Sequence, residues 1–361
     1  MQTISEELNE ALTESPPPFQ PGKRSGPLWK GPEVDGITFS LLCKFLNDRE
    51  RFRLRVIEGI KAVDRFEPRL EFGNMWHVCE ENVAKNNDWK MSLLEYARAL
   101  ARTHRLEQDQ VDHWYNVVLS QFPVYQNFWK DKPATVGKCV AAEGVFDVKY
   151  TLPSGRIVRL RGKRDGVYDR GRKDGYWVKE IKTKNKIDEE QLKRQLTFDL
   201  QTMLYVVTAQ QDFPSFKMGG VLYNVVRRDC PIRRHKATTK KPEEGKTEFY
   251  NRLVNDYFLA EPEQWFMRWD VGLDKTDITK FQEQTLNPIL EQLFDWYEHV
   301  TEGRNVFHCR PGDKDYMVHW RHPYGVYNSL DEGYATEYDE YLRSGSMSGL
   351  TTVTNLFPEL S

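Results

Sequence analysis

The spacing of hydrophobic positions changes period twice along this chain. From Thr38 to about Gln126 apolar residues recur at helical intervals. Phe39, Leu42, Cys43, Phe45 and Leu46, then Phe52, Leu54 and Ile57, follow the i, i+3, i+4 pattern of a helix with one apolar face. The same spacing predicts helices around Met75–Val83, Met91–Thr103 and Gln108–Gln121. After Pro133 the period falls toward two. KCVAAEGVFDVKY, RIVRLRGKRDGVYD and GYWVKEIKTK are β-rich runs separated by LPSG and RGRKDG. Those separators carry turn chemistry, so the three runs read as an antiparallel meander turning near Ser154 and near Arg172–Lys173. A long helix is then predicted from about Asp188 to Gln210, followed by a strand, GGVLYNVVRR, and helices near Glu248–Leu259 and Lys280–Thr301.

This succession predicts an α/β fold: a central mixed sheet flanked by helices, with a helical N-terminal part packed on the same core. Residues 1–36, rich in Pro and Gly, are expected to be an irregular lead-in. Residues 37–305 form the expected main domain. Residues 306–361 carry many aromatics and little periodicity, and are expected to be a C-terminal extension without an assigned role. The segment Asp229–Lys246, with RRHKATTKKPEEGK, reads as an exposed basic loop.

Bulk composition narrows the function only a little. Hydrophobic residues make up 39% and charged residues 29% of the 361 positions, as in an ordinary water-soluble domain. No apolar run approaches the roughly 20 residues that span a bilayer, and the acidic first residues lack the apolar stretch of a signal peptide. A cytoplasmic location without membrane attachment is therefore expected. The formal net charge of −2 decides nothing about nucleic acid, because phosphate binding depends on local Lys and Arg placement. Cys43, Cys79, Cys139, Cys230 and Cys309 are dispersed without a CxxC pair, which argues for reduced thiols rather than disulfides or a metal cluster. No GxxxxGK[ST] motif marks a nucleotide-driven motor.

The chemistry concentrates in GYWVKEIKTK. Side chains alternate across a strand, so Glu180 and Lys182 share a face. By themselves they fit an exposed edge strand carrying an ion pair. Asp165 changes that reading. Folding the second hairpin about Arg172–Lys173 brings Asp165 opposite Glu180, where Cβ atoms lie about 5 Å apart. Two carboxylates so placed call for a hard divalent cation with oxygen ligands, Mg²⁺ or Mn²⁺ rather than zinc. The first hairpin brings Glu143 toward Asp165, as a further ligand or a solvated neighbour. Lys182, beside an activated water, could position or deprotonate the nucleophile, or stabilise charge on a pentacovalent phosphate.

At these residues the chain resembles the PD-(D/E)XK, or restriction-endonuclease-like, nuclease superfamily, and within it the RecB-type and phage-exonuclease branch. GKRDGVY supplies the Asp, KEIKTK the Glu-x-Lys, and LQTMLY a Gln-x-x-x-Tyr pair, Gln201 and Tyr205, on one helix face. GNMWHVCEE resembles that branch's Gly-x-x-x-His helix, and ITFSLLCKFLNDRERFRLRVIEG its opening helix. The resemblance covers about Thr38 to Val226. It implies Asp165, Glu180, Lys182, Gln201 and Tyr205 as catalytic residues. It further implies His77, Asp165, Glu180 and the Ile181 backbone carbonyl as metal ligands, and Gly73 as a close-packing position. Lys184 and Lys186, directly after the catalytic strand, are the expected phosphate contacts; the basic loop His235–Lys241 is a second candidate.

The implied function is a Mg²⁺- or Mn²⁺-dependent DNA exonuclease of recombination, repair or phage DNA metabolism. A structure- or site-specific endonuclease with the same centre is the alternative, and an inactive DNA-binding relative a third; RNA stays open as a substrate. Some relatives hold an iron–sulfur cluster on four cysteines. Here only Cys230 and Cys309 follow the core, so no cluster is expected. DNA is the implied partner, duplex or single-stranded. A recombination or single-strand-binding protein is a candidate second partner, and an oligomer is admitted by the resemblance.

Overall fold

The computed structural model describes residues 27–302, apart from 48, 64, 131, 133–135, 198, 238 and 240–241, together with residues 340–341 and 344–360. Most of the lead-in and of the expected C-terminal extension, Cys309 included, thus lies outside the described residues, as does part of the basic loop. The side chain of Glu143 lies outside them too.

In chain order the elements are α1 (Phe39–Asn47), α2 (Arg49–Phe52), β1 (Ile60–Ala62), α3 (Pro68–Ala84), α4 (Trp89–Thr103), α5 (Gln108–Lys130), β2 (Lys138–Thr151), β3 (Ile157–Asp169), β4 (Tyr176–Lys184), α6 (Glu189–Leu196), α7 (Leu200–Asp212), β5 (Met218–Arg227), α8 (Lys246–Leu253), β6 (Phe266–Gly272), α9 (Lys275–Phe281), α10 (Asn287–Thr301) and β7 (Leu350–Thr352). The fold is mixed α/β. Its main sheet has the order β2-β3-β4-β5-β6, with β3 antiparallel to β4, β4 parallel to β5, and β5 antiparallel to β6.

The chain divides into two compact units. One takes in Arg65–Gly144 and Arg164–Asp274; the other takes in Val145–Lys163 with the described parts of Pro18–Asp64 and Lys275–Ser361. In the second unit Trp29 is fully buried, its indole donating to the Gly36 carbonyl at 2.9 Å. Trp29, Phe45, Phe52 and Trp296 pack edge to face there, with ring centroids 5.4–5.6 Å apart. β1 and β7 pair antiparallel in the same unit, an association the sequence pattern did not predict.

The first unit holds the candidate site. Its core forms where α3, α4 and α5 turn their apolar stripes inward. Phe72, Trp76, Ala97, Val118 and Phe122 are buried, and Trp76 meets Phe122 and Tyr125 edge-on at 5.1 and 5.2 Å. Each large side chain so buried stabilises the fold by roughly 1.5–3 kcal/mol. β5 is buried along nearly its whole length, as expected of a continuous apolar run paired parallel to a neighbour inside a sheet. β6 covers it on the other side. The sequence reading missed β6, because FMRWDVG alternates weakly and is only partly buried.

The predicted meander is present. The chain between β3 and β4 reverses at Gly171–Gly175, where the Gly175 amide donates to the Gly171 carbonyl at 2.8 Å. The predicted single helix from Asp188 to Gln210 is two helices instead. Asp188 caps α6 by accepting from the Gln191 amide, and Thr197 ends it in an extended conformation. Asp199 then caps α7, its carboxylate accepting from the Thr202 amide at 3.3 Å and hydroxyl at 3.0 Å. An aspartate offers the backbone an alternative to continued helix, and here it takes it.

Candidate active site

β4 lies between two other strands and is buried from Trp177 to Ile181. It nevertheless carries two adjacent charges, Lys179 and Glu180, which point to opposite faces. Lys179 Nζ donates to Glu80 Oε2 of α3 at 2.7 Å. Burial alone would lower the Lys179 pKa, but Glu80, Tyr125 and Tyr168 raise it, so the ammonium form is kept. This pair was not foreseen, although Glu80 stands three residues after His77 and so one helical turn along α3.

The β3–β4 ladder runs from Asp169↔Tyr176 to Gly166↔Lys179. At the next step Asp165 substitutes a side chain for the backbone: its Oδ2 accepts from the Ile181 amide at 2.7 Å. Its Oδ1 lies 3.1 Å from His77 Nδ1. Burial would raise the Asp165 pKa, yet His77, the Ile181 amide and Lys179 together hold it below the usual carboxylate range.

Glu180, on the facing strand, is in the opposite situation. Lys182 Nζ lies 2.8 Å from its Oε1, but Oε2 is buried without a hydrogen-bond partner among the described residues. Burial raises the Glu180 pKa to about 7; Asp165 adds to that rise, while Lys182 and His77 oppose it. Lys182 continues a chain of contacts into α7. Its ammonium donates to Gln201 Oε1 at 2.5 Å, and Gln201 Nε2 donates to the Tyr205 hydroxyl at 3.2 Å. Asp199 Oδ2 stands 3.7 Å from Lys182 Nζ. Asp199 was overlooked in the sequence, where an Asp immediately before an apolar helical run is a start signal.

The side chains suit a hard divalent cation. A buried carboxylate oxygen without a partner and a second carboxylate opposite it are the donor set that Mg²⁺ or Mn²⁺ takes. His77 and Asp165 are engaged with each other, and among the described residues no three His, Cys, Asp or Glu side chains form a ready cage.

A sequence model of the PD-(D/E)XK nuclease superfamily matches residues 37–307. The chain belongs to the PD-(D/E)XK nuclease superfamily. It is therefore related to nucleases, hydrolases that generally use divalent metal ions. No curated protein matches the chain. No described helix is long and apolar enough to cross a membrane.

Four other sequence-predicted positions of this superfamily member are described. Lys184 is half-buried at the end of β4, and burial with the charge of Lys182 lowers its pKa. Lys186 is exposed and borders a cavity of about 530 Å³ shared with Arg227 and Arg268. Gly73 departs from its expected close-packing role: a Cβ there would meet only Thr183 Oγ1, at 3.4 Å, an ordinary contact. Of the basic loop, His235 is described, and its amide donates to Glu244 Oε2 at 2.8 Å.

Proposed function

We propose that the chain is a metal-dependent deoxyribonuclease, acting as an exonuclease on DNA ends in recombination, repair or phage DNA metabolism. The observation that carries this reading is the meeting of Asp165, Glu180 and Lys182, with one buried Glu180 oxygen left without a hydrogen-bond partner among the described residues. In this reading His77, Asp165, Glu180 and the Ile181 carbonyl hold Mg²⁺ or Mn²⁺. Bound there, the cation supplies Lewis acidity and a water of lowered pKa.

The protein's own groups divide the remaining work. The Ile181 amide and His77 fix the orientation of the Asp165 carboxylate. Glu180 and Asp199 favour the charged form of Lys182, whose pKa is raised against the effect of burial. A fixed ammonium at this place stabilises negative charge as it grows on the attacked phosphate. Gln201, steadied by Tyr205, is a positioning residue that aims Lys182. The buried setting strengthens each of these electrostatic contacts relative to water.

The test is release of nucleotides from end-labelled linear duplex and single-stranded DNA with Mg²⁺, Mn²⁺ or EDTA, beside a Glu180→Ala, Lys182→Ala variant. Metal-dependent release that the variant lacks supports the proposal, and the order of label loss gives polarity. Cutting of covalently closed circles replaces the exonuclease by an endonuclease. Absence of cleavage with every metal leaves a DNA-binding protein on a nuclease fold.

A further inference from the structure

On α3, Arg69, Gly73 and His77 recur every four residues and so share a face; the eight-residue span measures about 12 Å. His77 meets Asp165 at one end of this stripe. In the middle, Gly73 faces Thr183 with room left for a methyl group, although glycine weakens a helix interior relative to alanine. Packing in the free protein therefore does not call for glycine here. A bare helix backbone does suit close approach of a ligand. The Thr183 hydroxyl forms no hydrogen bond among the described residues.

The far end of the stripe is cationic. β4 and β5 pair with Thr183 beside Val226 and Lys184 beside Arg227. Alternation along the strand puts Arg228 on the same sheet face as Val226 and Thr183, the side on which α3 lies. Arg228 is only 8% exposed, and its amide donates to the Lys184 carbonyl at 2.7 Å. Its guanidinium has no hydrogen-bond or ion-pair partner among the described residues. Burial, and then the nearby charge of Arg69, lower its pKa, while Asp229 opposes them. The neighbouring acid, Asp229, is already engaged with Arg227 at 2.7 Å. A buried guanidinium without an ion-pair partner is unfavourable for folding. An anion with several acceptor oxygens would relieve it, and the planar fork of arginine matches phosphate.

We propose that Arg69 and Arg228 form a second phosphate subsite, at the end of the α3 stripe opposite His77. It grips the substrate strand one helix stripe away from the bond being cut. The inference rests on the nuclease reading of the site, and it names the ligand as a polynucleotide backbone.

The test measures binding of a fluorescein-labelled single-stranded oligonucleotide to the full chain in EDTA, so that it does not depend on cleavage. Arg69→Gln and Arg228→Gln should each weaken binding about tenfold, as loss of a charge-assisted phosphate contact implies, and each should reduce the salt slope by about one. Lys85→Gln, which removes one charge from the other end of α3, should do neither. Replacing single phosphates by neutral methylphosphonates should reveal one position where wild type weakens and the arginine variants do not. The melting temperature of Arg228→Gln should not fall, since the guanidinium has no partner to lose among the described residues. Unchanged affinity and salt slope in both arginine variants, with wild type cutting DNA, would overturn the subsite and leave the nuclease standing. A wild type that binds through these arginines but never cuts would overturn the nuclease reading instead.

Discussion

Lys182 Nζ lies 2.8 Å from Glu180 Oε1, while the other oxygen of the same carboxylate is buried without a partner among the described residues. One half of Glu180 is thus neutralised by Lys182, and the other half is left open to a ligand. Four expectations follow from this and neighbouring contacts.

The raised Glu180 pKa, about 7, makes the metal-free protein sensitive to alkali. A carboxylate is ordinarily deprotonated above about 4.3 in an unfolded chain. Between that value and about 7 the unfolded state releases its proton first, so stability falls as pH rises. Melting in EDTA should show wild type losing ground to Glu180→Gln from pH 5 to pH 8. Adding Mn²⁺ at pH 8 should raise the wild-type melting temperature and leave that of the variant nearly unmoved.

Removing the ammonium should strike turnover rather than binding. Lys182→Ala is expected to lower kcat by about 10²–10³, the usual loss when a charge-stabilising donor is deleted. Gln201→Ala should lower kcat by a smaller factor, about tenfold, with substrate affinity unchanged, because it frees Lys182 without removing it. Single-turnover cleavage alongside binding in EDTA would separate the two effects. Equal losses in kcat and affinity would count against the assigned roles.

The Lys179–Glu80 pair is structural and should announce itself in stability. Lys179→Met leaves the Glu80 carboxylate buried and uncompensated, which costs about 3–5 kcal/mol. Combining it with Glu80→Gln should recover much of that loss. Urea unfolding of the two single variants and the double variant measures the coupling.

Asp199 has two duties that substitution can separate. Asp199→Ala removes the α7 cap, a loss of about 1 kcal/mol, together with the charge near Lys182. Asp199→Asn keeps a capping oxygen and discards only the charge. Unfolding midpoints should fall for alanine alone, while cleavage rates should fall for both.

Much of this arrangement was legible in the sequence because strands and hairpins impose simple arithmetic. Alternation put Glu180 and Lys182 on one face, and the turn separating two β-rich runs put Asp165 against them. The Gln201 and Tyr205 spacing survived the break between α6 and α7, since both residues lie within α7. What escaped notice depended on contacts distant in the chain. Glu80 finds Lys179 only once α3 lies on the sheet, and the isolation of Arg228 depends on which acids are already engaged. β1 and β7 pair across nearly the whole chain, and β6 takes its strand character from the β5 edge it covers.

The turn at Gly171–Gly175 acts as a gauge for the catalytic groups. It sets the offset at which β3 meets β4, and the side-chain period of a strand is two. A single residue inserted or deleted there, with the ladder still zipped, would carry Asp165 to the far side of the sheet. The hairpin would remain a sound hairpin, and the core would keep most of its packing. Loop length, often the most tolerant property of a protein, is in this hairpin a property of the chemistry.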